Sequence, residues 1–166
     1  MDRGIAGMRS GSATAMYDAV YLGSEALEHR QGRKVMVIIT DGGDTLSKVN
    51  YQDALRAAQQ AEAIVYSIII VPIPSSAGRD LGGEHALIQL SHDTGGKYYY
   101  ADSVDRLDQA FEHISQELRT QYLLAYYPSR RVADSDFRRI EVKVNAKDQS
   151  DLAARYRTGY YTSKDR

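Results

Sequence analysis

The stretch VMVIITDGGDT, residues 35–45, is an apolar run that stops on an aspartate, two glycines and a second aspartate. Val35, Val37, Ile38 and Ile39, with so few polar breaks, predict a strand over 34–40 buried on both faces, as inside a parallel sheet. Asp41 then stands at the carboxyl end of that strand, where open α/β sheets bind their ligands. It is a candidate metal ligand, a candidate phosphate nucleophile or a simple turn residue.

Working outward, Met16, Val20, Gly23 and Leu27 recur at helical spacing, with Thr14 placed to cap the helix and Gly32 to stop it. After the strand, a helix is expected from about Tyr51 to Ala63, with Asn50 as its cap and Asp53 in its first turn. IVYSIIIV at 64–71 is too rich in β-branched residues for a surface helix and reads as a second buried strand. PIPSSAGRDLGG at 72–83 reads as a loop, EHALIQLSHDTGG as a short helix, and KYYYA at 97–101 as a third strand. Ser103 caps a last helix whose Leu107, Phe111, Ile114 and Leu118 form an apolar stripe. Helices and strands in alternation predict parallel βαβ units with right-handed crossovers.

Beyond about Arg119 the pattern changes. QYLLAYY, FRRIEVKV and ARYRTGYY are strand-like, and Ile140, Val142 and Val144 alternate with Arg139, Glu141 and Lys143, predicting one dry and one wet face. The expected organisation is an α/β unit over 1–119 followed by a Tyr-rich antiparallel β extension over 120–166.

Composition sets bounds on function. With 21 basic and 22 acidic residues the formal net charge is −1, so no basic field argues for nucleic acid or an anionic membrane surface. The chain has no cysteine, which excludes disulfides and thiolate metal sites without fixing a compartment. No apolar stretch reaches the roughly 18 residues of a membrane span, so no membrane insertion is expected, and the first residues lack the apolar core of a signal peptide.

SATAMYDAV at 12–20, KVMVIITDGGDT at 34–45, AIVYSIII at 63–70, LSHDTGGKYYYAD at 90–102 and LDQAFEHISQELRTQYLLAYYP at 107–128 together resemble the von Willebrand factor A domain. The likeness is greatest to its bacterial branch abundant in Acidobacteria, in which a Tyr-rich tail follows the domain. The resemblance implies a Rossmann-like sheet, an exported bacterial protein and a non-enzymatic module that binds other proteins. It also implies a metal-ion-dependent adhesion site, in which oxygen ligands suit Mg²⁺ or Mn²⁺ and a partner carboxylate completes the shell. By motif, Thr14 and Asp41 match two of that site's ligands, with Gly42, Gly43 and Asp44 on the partner-binding rim. The family's Asp-x-Ser-x-Ser segment has no counterpart; DQSDL at 148–152 lacks the second Ser. The expectation is an incomplete site that holds no cation tightly, in a chain matching the family only from about the end of its second helix. In the family the strand equivalent to 34–40 is internal, so the loss of its neighbour predicts an open sheet edge and a homo-oligomer.

Other chemistries are less well supported by the residues. Asp41 with Asp44 and Thr45 resembles the Asp-x-Asp-x-Thr of phosphatases that form an aspartyl phosphate, but the second aspartate stands three positions on, not two. His29, His85, His92 and His113 show no paired ligand spacing. The tyrosines at 98–100, 126–127 and 160–161, beside Arg130, Arg131, Arg138 and Arg139, make saccharide or nucleic-acid binding the alternative. Tyrosine is also a favoured strand residue, which explains them without a ligand.

Overall fold

The computed structural model describes residues 13–71, 81–128, 137–145, 152 and 154–162. Along the chain these form α1 (Met16–Glu28), β1 (Lys34–Thr40), α2 (Tyr51–Gln60), β2 (Ala63–Ile70), α3 (Leu81–Thr94), β3 (Tyr98–Ala101) and α4 (Val104–Arg119). The short strands β4 (Phe137–Arg139) and β5 (Gly159–Tyr161) follow. β1, β2 and β3 form a parallel sheet in that spatial order, in register from Lys34 opposite Ala63 and from Ser67 opposite Tyr98. β4 and β5 pair antiparallel in a separate two-stranded sheet. The fold is therefore α/β, a parallel sheet flanked by helices with a small antiparallel extension.

The core follows from the pleat of β2. Val65 joins Val20, Ala54, Ala58 and Leu90 on one face, while Ile69 packs with Met16 and Leu87. Tyr66 and Ile68 point the other way and meet Ala101, Ala110 and Ile114. A strand covered on both sides needs the continuous apolar run that 63–70 provides. The close seating of the strand after α3 depends on Gly96, where a Cβ would fall 1.9 Å from the Val65 carbonyl oxygen.

Local chemistry sets the helix starts. The Asn50 side chain accepts from the Asp53 N–H at 2.9 Å, and Ser103 caps α4 by accepting from the Arg106 N–H. α1 differs from expectation, because Ala15 occupies the cap position and makes no side-chain bond, so Thr14 is not the cap. The helix also stops at Glu28, before Gly32, whose φ of +89° belongs to the turn. α3 begins at Leu81, taking in residues expected to be loop, while 72–80 lie outside the described residues.

Three burial expectations need correcting. β1 is not buried on both faces, for Val35 to Ile38 are half-buried and Ile39 is 48% exposed. The reason is its place at the end of the sheet order. On α4 the apolar stripe turns inward at Ala110 and Ile114, leaving Phe111 exposed. In the tail Ile140 and Val142 are half-buried, but Val144 is exposed and β4 ends at Arg139. QYLLAYY, read as a strand, joins no sheet among the described residues; only Gln121, on the Tyr66 hydroxyl, and Tyr126, on the Tyr160 hydroxyl, find side-chain partners, and 122–127 are exposed.

Candidate functional site

The carboxyl end of β1 opens into the loop that carries Asp41 to Asp44. Thr40 folds it over at once, its hydroxyl bonding the Gly42 carbonyl at 3.0 Å. Gly43 is buried and Gly42 half-buried, while the Asp41 carboxylate is left exposed. Asp44 turns inward. It accepts from the Tyr17 N–H and the Ser47 N–H, both at 3.1 Å, and from the Ser47 hydroxyl. It thus supplies the start of α1 with the carboxylate that Ala15 cannot, where the helix dipole favours negative charge. Partial burial opposes ionisation of Asp44, but these bonds, with one from Met16, outweigh it and hold its carboxyl below the usual range.

The same loop is latched elsewhere. The Thr14 carbonyl accepts from the Thr45 N–H at 2.8 Å and the Leu46 N–H at 3.1 Å, and the Thr14 N–H donates to the Thr45 hydroxyl at 2.8 Å. Ser47 Oγ accepts from the Asp18 N–H, and Asp18 Oδ1 receives the N–H groups of Lys48 and Val49. The loop therefore brings Thr14 beside the segment that follows Asp41.

The donor set does not fit a divalent ion held by protein oxygens. Thr14 meets the loop through its backbone, Asp44 is committed to N–H and O–H donors, and Asp41 remains a single carboxylate in solvent. Among the described residues no group of three or more acidic or histidine side chains is placed to hold a metal. The four histidines are likewise not brought together; His113 stacks on Tyr99 and His92 pairs with Asp93.

A second polar cluster, at the amino-terminal end of the sheet, has no counterpart in the sequence reading. Glu117 Oε1 lies 2.7 Å from Arg155, 3.1 Å from the Tyr99 hydroxyl and 3.7 Å from Lys97. Gln121 donates to the Tyr66 hydroxyl beside it. Burial resists the charge on Glu117, but Arg155, the Tyr99 hydroxyl and Lys97 outweigh it and lower its pKa, while burial and the Glu117 charge push Tyr99 up. The only hint in sequence was a glutamate next to the apolar Leu118 on α4. A cleft of about 350 Å³ lies between α1 and α2, lined by Glu25, Glu28, Asp53 and Arg56 among others.

No family model and no curated protein matches the chain. A solved structure described as an uncharacterized membrane spanning protein from Vibrio fischeri is similar at 18% identity and a TM-score of 0.45. The match covers 69% of this chain and 63% of that one, and a likeness at this level carries no functional argument. Among the described residues no helix is long and apolar enough to cross a membrane.

Proposed function

We propose that the chain is a non-enzymatic protein-interaction module related to the von Willebrand factor A domain, with an incomplete metal site. The observation that carries this reading is the segment following α4. Tyr122, Leu123 and Tyr127 are 92%, 96% and 101% exposed, and Leu124 and Tyr126 are also exposed. Single exposed apolar residues are ordinary, but a contiguous row of large ones marks a surface that another protein covers. The carboxyl-end loop supports the same reading, because its aspartates are spent on holding α1 or stand alone in solvent. The saccharide and nucleic-acid alternative is weakened by the tail's own pairing: Arg157 lies over Tyr160 and Arg56 over Tyr161, so both cations face rings of this chain.

The test is a display selection of random peptides against the full chain. Apolar peptides are expected to be enriched, with binding by calorimetry lost in Leu123→Ser/Tyr127→Ser while the melting temperature is unchanged. Failure to enrich any peptide, or binding indifferent to those substitutions, would refute the reading.

A further inference from the structure

β1 is the end strand of the parallel sheet, and among the described residues no strand pairs with its outer flank. Its half-burial contrasts with β2, where Val65 to Ile69 are all buried. Natural edges are blunted by proline, bulges or inward-pointing charge. β1 has no proline, and its buried charge is confined to its first residue. Its one charged side chain, Lys34, donates to the Glu28 carbonyl at 2.8 Å and so caps the end of α1. What remains is a row of Val35, Met36, Val37, Ile38 and Ile39 with one flank that no strand pairs among the described residues.

We propose that this edge pairs with the same edge of a second copy, antiparallel about a two-fold axis through Val37. This deepens the reading above by naming one partner, and it rests on that reading. A two-fold axis normal to a sheet must pass through a directly opposed pair of identical residues, so each choice of axis fixes the whole register. Val37 is the middle of the seven-residue strand, and only an axis there lets all of 34–40 overlap. Lys34 then faces Thr40, Val35 faces Ile39, and Met36 faces Ile38 of the second copy.

The flanking charges single out the same register. Arg33 and Asp41, both exposed, stand one residue beyond either end of β1, and the Val37 axis sets Arg33 opposite Asp41 of the second copy, twice per dimer. An axis through Met36 would instead oppose Arg33 to Ile39 and Asp41 to Gln31. One through Ile38 would oppose Asp41 to Val35 and Arg33 to Gly43. Arg33 keeps guanidinium donors for this contact beyond the one given to the Leu118 carbonyl. Opposite charges facing one another across strands favour pairing, and like charges oppose it.

Sedimentation equilibrium of the full chain between about 1 and about 100 µM is expected to show a dimer. Arg33→Asp alone and Asp41→Arg alone each set like charges face to face and should weaken dimerisation by about tenfold or more, while the two together restore it. Val37→Cys, in a chain without other cysteines, should crosslink to its own copy under mild oxidation, because directly opposed Cα atoms lie about 4.5 to 5.5 Å apart. The crosslink serves as the reading if a charge variant fails to fold. A monomer throughout, self-association unmoved by the single reversals or unrestored by the pair, or no crosslink, would overturn the proposal. A monomer that still binds the selected peptides through 122–127 would retire the pairing and leave the interaction module standing.

Discussion

The parallel sheet and the C-terminal extension are held by different forces. Around β2 the contacts are apolar and buried on both faces. The extension is attached by polar groups: Arg155 on Glu117, Arg157 on Glu62 at 3.5 Å, the Thr158 N–H on the Asp93 carbonyl at 3.1 Å, and the Arg56 guanidinium over the Tyr161 ring at 4.9 Å. Burial is indifferent to pH and only weakly sensitive to salt, whereas partly exposed ion pairs answer to both. One chain thus carries a part whose stability is set by packing and a part whose attachment is set by solution conditions.

The largest effect should come from the core. Ile68→Ala removes a fully buried side chain between β2 and α4 and is expected to cost about 2 to 5 kcal/mol in a denaturant melt, lowering the melting temperature of the whole chain. Gly159→Ala attacks only the extension. A Cβ there would fall 2.3 Å from the Phe137 ring and 2.6 Å from the Arg138 carbonyl, so about 1 to 3 kcal/mol of strain should unpair β4 from β5. Faster amide exchange at Tyr161 with unchanged exchange at Ile68 would sharpen the contrast; equal acceleration at both would break it.

Glu117→Gln should cost about 1 kcal/mol at neutral pH, discounted for the cluster's partial exposure. Because the folded Glu117 carboxyl titrates below its ordinary value, its contribution is complete above the usual glutamate range and disappears as pH falls through the lowered value. Melts of the two proteins should therefore differ at pH 7 and converge in acid. A difference that persists in acid would mean that shape, not charge, holds Arg155. The smallest effect is that of Mg²⁺ or Mn²⁺, which at concentrations below the dissociation constant stabilises by less than about 0.4 kcal/mol. A shift of several degrees, abolished by Asp41→Ala, would show a site that the described residues do not assemble.

The sequence made the sheet legible where the signal is local or continuous. The apolar run at 35–39 placed the seven-residue β1 to the residue, and Asn50 and Ser103 reported their own helix starts because a cap is a contact across three residues. The tail was less readable. QYLLAYY has strand composition, but β propensity expresses a fit to neighbours, and among the described residues it enters no strand ladder. At the candidate site, Thr14 and Asp41 stood out by motif. The role of Asp44 did not, because it caps a helix 27 residues earlier, a relation that exists only after β1 has placed the loop. The Glu117 cluster stayed hidden for the same reason: Arg155 reaches it from the C-terminal extension, between β4 and β5.

That remote cap makes the first turn of α1 a reporter of the loop. The Tyr17 and Asp18 N–H groups are satisfied by Asp44 and Ser47, not by any residue of their own helix, so they are protected from exchange only while residues 44–47 keep their present path. Whatever engages Asp41 or displaces the loop must either preserve those bonds or release the start of the helix. The arrival of a partner at the carboxyl end of β1 can therefore be followed by proton exchange at two amides on a different element.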